Sequence, residues 1–279
     1  MYRAIFQAIK RRIPRISDTE MIALQSGDTS VDRDILKGTY TFPKPSTKPY
    51  KFDTNQLENT LNSFDNTRIY PNDNQNYWID HLAKNKYFSF LIDEKYGGIK
   101  LSVNELSDIL TKITSIDPGL GVIAMVPNSL GPGELLTLYG TEEQKEKYLP
   151  KLANGELIPC FGLTGPNNGS DATGNIDTGR VIQDENGELK LQVTLNKRYI
   201  TLAPVSNLLG IAFDLKDPDN LLPDKSGVTL ALVERDHPYL IQNTHHNPLN
   251  VGFPNGTIKG TITLDLDHVI GGKDYIGHG

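Results

Sequence analysis

Cysteine, tryptophan and methionine are all scarce: one Cys, one Trp and three Met occur in 279 residues. A lone cysteine, Cys160, cannot form a disulfide within the chain, so a disulfide framework is excluded and a reducing compartment is the default. No run of about 18 apolar residues occurs, so no segment reads as a membrane-spanning helix. A basic excess is also missing. The 28 Lys and Arg are outnumbered by 34 Asp and Glu, giving a net charge of −6, and such a field does not draw nucleic-acid phosphates. No Walker loop and no GxGxxG is present, which leaves a Rossmann-type nucleotide site unsupported. No internal repeat is evident. His245 and His246 are adjacent, so in a strand they face opposite ways and make a poor metal pair.

What is there fits a soluble globular protein. The hydrophobic fraction is 37%, enough for an ample core, and the length suits about two domains. The opening MYRAIFQAIKRRIPR lacks the apolar stretch of a signal peptide. It reads as a partly docked terminus, with weak contact to anionic lipid as the alternative.

The first half has helical punctuation. Ser17–Glu20, Ser102–Glu105 and Thr141–Gln144 are capping boxes, in which the first side chain takes the N–H of the fourth residue and the fourth reaches back. Val31 to Lys37 reads as a short helix before Gly38. Leu57, Leu61 and Phe64 suggest a helix, as do Trp78 and Leu82 with Ile79. Leu106, Ile109, Leu110 and Ile113 line one face of another. Gly119 to Leu138 is the most apolar stretch. Pro127 and Pro132 predict a bend near Asn128 and Ser129. Thr41 to Pro49 reads as an extended tether. YFSFLI (87–92) leads into a Gly97-Gly98 turn.

After Gly155 the character changes to short strands rich in Ile, Val, Thr and Leu. These are Leu189 to Leu195, Leu208 to Phe213, Val228 to Val233 and Thr261 to Leu266, with a hairpin turn at Glu185-Asn186-Gly187. The expectation is an α+β chain: an N-terminal all-α helical bundle followed by an antiparallel β-barrel or sandwich. The expected parts are an extension and linker (1–50), a helical domain (51–155) and a β domain (156–279). Cys160 reads as buried and inert.

One stretch carries more than fold. From Cys160 to Gly179 the sequence is CFGLTGPNNGSDATGNIDTG. An apolar run (Ile158 to Leu163) ends at Thr164 and gives way to strong turn residues. Later, LNKRYIT (Leu195 to Thr201) reads as a second strand that also ends in threonine. The glycines let backbone N–H groups approach closely, and successive N–H groups form an anion-binding nest.

Thr164, Pro166, Gly169, Ser170 and Asp171, followed by Tyr199, Ile200 and Thr201, resemble the flavin signature of the acyl-CoA dehydrogenases. The wider likeness is to the long bacterial fatty-acyl-CoA dehydrogenases. It runs from ISDTE (16–20) through MVPNSLGPGELL (125–136), YGTEEQK (139–145) and NKRYITLAP (196–204) to VIGG (269–272). Gly165 and Asn168 depart from relatives with Glu and Ala there, and Tyr199 stands where smaller members have tryptophan.

The resemblance implies a FAD-dependent oxidoreductase that converts fatty acyl-CoA to trans-2-enoyl-CoA in β-oxidation, with an electron-transferring flavoprotein as acceptor. It implies that the backbone near Phe161 and Leu163, with Thr164, meets the ring's polar edge. Gly169 and Ser170 would serve the pyrophosphate, with Ser170 also near substrate. Tyr199, Ile200 and Thr201 would border the ring, the Thr201 hydroxyl on its N5 side. A homo-oligomer is expected when complete, in the cytoplasm or peripheral to the inner membrane. The sequence stops at Gly277-His278-Gly279, where the family's C-terminal helical domain begins. No carboxylate here matches the family base, so the expectation is weak FAD binding and no turnover by this chain alone. An acyl-CoA oxidase and a non-catalytic flavin- or acyl-CoA-binding fragment remain the alternatives.

Overall fold

The computed structural model describes residues 31–42, 50–64, 74–129, 131–172, 174, 176–235, 241–244 and 247–279, with scattered positions before residue 31. The capping box at Ser17–Glu20, most of the 41–49 tether and the His245–His246 pair lie outside the described residues. The chain forms two compact units, Met1–Pro49 and Tyr50–Gly279. In the first, α1 (Asp32–Leu36) has Asp32 and Asp34 in its first turn and buries no residue. Gly38, at φ 69, follows it.

The second unit begins with helices whose starts are written in side chains. At α2 (Thr54–Ser63) the Asp53 carboxylate accepts the Asn55 and Gln56 N–H groups. Leu57 is buried there, and Phe64 falls just past the helix end, with its ring centroid 5.1 Å from that of Trp78. α3 (Asn74–Lys84) buries Trp78, Ile79 and Leu82 on one face. α4 (Val103–Ile116) has the reciprocal Ser102–Glu105 capping box and buries Ile109 and Ile113. Such caps contribute about 1 kcal/mol each.

The apolar stretch after α4 is broken as its prolines require. α5 (Pro118–Met125) ends in a 3-10 turn, Val126–Asn128, and α6 (Pro132–Tyr139) follows. Asn128 is buried at this break. Its Oδ1 accepts the Phe90 N–H at 2.9 Å, and its Nδ2 donates to the Tyr87 and Ala124 carbonyls. The side chain thereby satisfies the Ala124 carbonyl at the helix break and ties the break to the 87–90 segment. α7 (Glu142–Ala153) starts at the Thr141–Gln144 capping box. It closes before Gly155, which sits at φ 76 with α3 so close that a Cβ would lie 2.2 Å from the Ala83 Cβ. Among the described residues no helix is long and apolar enough to cross a membrane.

The strands are β1 (Pro159–Gly162), β2 (Thr178–Gln183), β3 (Leu189–Thr201), β4 (Leu208–Lys216), β5 (Gly227–Glu234), β6 (Ile241–Thr244) and β7 (Asn255–Asp265). They form one barrel-like, seven-stranded sheet. It is mixed, and this corrects the antiparallel expectation: β1 and β2 both run parallel to β4. Turn residues advertise hairpins, whereas parallel neighbours are joined by long crossovers that leave no local mark. The two strands expected across 189–201 are one strand, β3. Its inward Leu191, Val193 and Leu195 alternate with exposed Gln192, Thr194 and Asn196.

β5 occupies one edge of β4 along 208–215. β1 and β2 must therefore share the other edge, β1 against Leu208 to Ile211 and β2 against Asp214 to Lys216. They lie end to end in a single lane between β4 and β3. The chain leaves that lane after β1 and returns at Thr178. Helix and sheet share one core, in which Leu82, Tyr87 and Ile123 join Cys160, Leu209 and Ile258. Gln144 fastens α7 to the end of the sheet: its Nε2 donates to the Asp267 and Val269 carbonyls and its Oε1 accepts the Gly271 N–H.

Candidate functional site

The excursion from the shared lane, residues 163–177, is tied down by three side chains. Asn168 is the first. Its Oδ1 accepts the Gly165 N–H at 2.7 Å, and its Nδ2 donates to the Leu163 and Ala172 carbonyls at 3.2 and 3.3 Å. A Cβ on Gly165 would stand 2.9 Å from that same Oδ1. The two departures from the resembled signature thus belong together: the asparagine occupies space that only glycine leaves free.

Lys197 and Asp177 are the others. Lys197 follows Leu195 in the inward phase of β3 and has no exposed surface. Its Nζ donates to the Leu163 carbonyl at 3.0 Å and lies 3.3 Å from Asp177 Oδ2. That carboxylate oxygen also accepts the Asn196 N–H at 2.8 Å. Burial pushes the Lys197 ammonium below its usual pKa, and the Asp177 charge opposes the shift. The sequence signal for this pair is a charged residue in the buried phase of an alternating strand.

β3 is irregular beside the excursion. Its register against β7 shifts between Lys197 and Ile200, and Tyr199 adopts φ 62. A left-handed backbone at an aromatic residue is strained by about 1 kcal/mol or more. Arg198 N–H donates to the Thr164 carbonyl at 3.0 Å, which joins the end of β1 directly to the bulge. The Arg198 guanidinium lies 4.9 Å over the Tyr199 ring, and its Nε is buried without a hydrogen-bond partner.

The residues expected at the site fall as follows. Phe161 is half-buried in β1, its ring 2.8 Å from where a Cβ on its cross-strand partner Gly210 would stand. The Leu163 carbonyl already accepts from Lys197 and Asn168, so both its lone pairs are used and only its N–H is left for a ligand. Thr164 is half-buried, and Gly169 and Ser170 are exposed in the turn. A Cβ on Gly169 would meet nothing within 4 Å, and its φ is not left-handed. Neither packing nor backbone demands a glycine there. Tyr199 is 45% exposed, Ile200 is buried, and Thr201 is half-buried and paired with Asn255. Cys160 is buried, and burial pushes its thiol up to about 12, which keeps it protonated and unreactive at neutral pH. Asp265, Asp267 and His268 bring oxygen and nitrogen atoms within 4.8 Å of one another, but Asp265 is already paired with Lys190 at 2.6 Å.

An interrupted sheet lane, a glycine-containing turn and a bulged neighbouring strand, set against a helical bundle, define a fold class with known members. The chain resembles the solved structure of a Bacillus anthracis acyl-CoA dehydrogenase complexed with FAD, at a TM-score of 0.64 and 22% identity, covering 81% of this chain and 36% of that one. Residues 50–156 match the sequence model of the acyl-CoA dehydrogenase N-terminal domain. An acyl-CoA dehydrogenase of Bacillus subtilis is 32% identical over 160 residues, 57% of this chain and 40% of the relative. A 3-(aryl)acrylate reductase of Clostridium sporogenes is 31% identical over 183 residues, 66% of this chain and 45% of the relative. Over residues 50–156 the chain carries a domain of the acyl-CoA dehydrogenase N-terminal type. The chain spans less than half the length of these curated relatives.

Proposed function

We propose that this chain is the cofactor-holding part of a FAD-dependent enzyme that oxidises a fatty acyl-CoA thioester to the trans-2-enoyl-CoA, the opening step of fatty-acid β-oxidation. The observation that supports it is Gly169. It lies in the turn that interrupts the sheet, and neither packing nor φ accounts for a glycine there. Close approach of a ligand to the backbone does account for it. The polar groups also fit the cofactor: exposed turn residues for an anion, a half-buried threonine at each strand end, and a buried donor at Arg198 and a buried acceptor at Asn255 that lack partners.

In this reading the chain has three parts: an extension and linker (1–50), a helical domain (51–155) and a β domain (156–279). The turn at Gly169 and Ser170 holds the pyrophosphate, with Ser170 also serving the substrate. The backbone of Phe161 and Leu163, with Thr164, holds the polar edge of the ring. Tyr199, Ile200 and Thr201 border the ring, and the Thr201 hydroxyl donates to it. FAD, when bound, supplies an acceptor for the hydride that leaves the substrate. Lys197 and Asp177 keep β1 and β3 at a fixed separation, so that the groups on each meet the ring together. No residue of this chain is assigned as the base that takes the substrate proton. An electron-transferring flavoprotein as acceptor, a homo-oligomeric assembly and a cytoplasmic or inner-membrane-peripheral location belong to the same reading.

Titration of the 279-residue chain with FAD, followed by flavin fluorescence, tests this. Saturable binding that Thr201→Val weakens is the expected result, with no turnover of acyl-CoA by the chain alone. Absence of saturable binding at millimolar FAD would remove the reading.

A further inference from the structure

Asn255 opens β7 and stands opposite Thr201 on β3. The Leu202 N–H donates to the Pro254 carbonyl at 2.9 Å. That bond lies one residue outside the pair on each strand. Thr201 and Asn255 are therefore the closer, non-hydrogen-bonded kind of antiparallel pair, with Cα atoms roughly 4.5 Å apart. Residues directly opposed in this way put their side chains on the same face. The neighbouring pair, Ile200 and Gly256, serves the other face.

Asn255 is 3% exposed, and its Oδ1 has no hydrogen-bond partner. Four buried side-chain polar atoms among the described residues share that condition. Two of them, Tyr87 Oη and Tyr96 Oη, belong to the helical half. The other two, Asn255 Oδ1 and Arg198 Nε, flank the same few residues of β3. Unsatisfied polar atoms are rare in native interiors, and each calls for a missing partner. A leucine would fill the volume at 255 without that penalty. The polar group is unexplained by the fold and adjacent to the threonine assigned to the ring.

We infer that Asn255 is a positioning residue for the flavin, its Oδ1 accepting a hydrogen bond from a ring N–H on the Thr201 side. This rests on the flavin reading given above. The chemistry matches, because the donor that isoalloxazine keeps in both oxidation states is N3–H, separated from N5 by the C4 carbonyl group, and Asn255 holds an acceptor with nothing to accept.

The test uses the full chain as wild type, Asn255→Leu and Asn255→Asp. Each is unfolded thermally without FAD, then titrated with FAD and scanned through the visible flavin band. Asn255→Leu is expected to unfold at or above the wild-type temperature, to bind FAD about tenfold more weakly and to shift the band. Asn255→Asp keeps an acceptor, so its affinity stays within about threefold of wild type, while its charge shifts the band. A purely structural asparagine would change the unfolding temperature and leave the flavin spectrum alone. Wild-type affinity with an unshifted band in Asn255→Leu overturns the inference, as does an equal loss of affinity in Asn255→Asp. If Asn255→Leu does not fold, an unshifted band in Asn255→Asp overturns it. If wild type itself does not bind FAD, the flavin reading fails first and takes this inference with it.

Discussion

The ammonium of Lys197 and the carboxylate of Asp177 meet at 3.3 Å where β1, β2 and β3 converge, with the lysine entirely out of solvent. A paired charge in that position is tolerated; a single one is not. Lys197→Met is expected to lower unfolding free energy by about 3 kcal/mol. The double variant with Asp177→Asn should cost less than the sum of the two single changes, because neither remaining group is an uncompensated charge. Urea unfolding of the four proteins measures both quantities.

Gly165 and Asn168 should behave as a unit. Gly165→Ala places a methyl 2.9 Å from Asn168 Oδ1 and is expected to lower stability by about 1 kcal/mol. Adding Asn168→Ala removes the clash, so the double variant should cost less than the sum of the single variants. Additive losses in a double-mutant cycle would separate the two positions.

The alkaline limb of the stability curve should depend on Cys160 and Tyr87. Burial raises the thiol from 9.0 to about 12 and the phenol from 10.0 to about 12. The native state keeps protons that the unfolded chain has released. Their contribution is therefore whole below the unfolded pKa values and lost as pH climbs from 9.0 toward about 12. Each group adds a slope of about 1.4 kcal/mol per pH unit. Cys160→Ala should be less stable near neutrality, from the small void it leaves, yet lose less on alkalisation. Urea unfolding at about pH 8 and about pH 11 reads the difference.

Gly169→Ala separates folding from binding. The added methyl meets nothing within 4 Å, so unfolding free energy should change by less than about 0.5 kcal/mol. FAD affinity is expected to fall about tenfold, or 1.4 kcal/mol. Fluorescence titration beside a thermal melt checks both halves of the statement.

Local features of this fold were legible in the sequence. The caps at Ser102 and Thr141, the break at Pro127 and the stop at Gly155 are each decided within a few residues, and the structure has all of them. Strand direction was not legible. β1 meets β4 only after the β2–β3 hairpin has intervened, and that adjacency leaves no mark on neighbouring residues. At the site, the Thr164 turn and the Thr201 strand end could be picked out by residue type. Their junction through Arg198 could not, since it depends on a bulge that brings a backbone N–H across strands. Lys197 could have been found from its inward phase on β3. Asn255 could not, because only register sets it opposite Thr201.

Because β1 and β2 are anchored to β4 separately, the register of each strand is held whatever the exposed turn between them carries. The turn's exposed residues Pro166, Asn167, Gly169 and Ser170 can be exchanged without slipping either register, whereas Gly165, Asn168 and Asp177 hold its ends. Evolution can therefore vary what the loop grips while the barrel around it stays the same, and engineering has the same freedom.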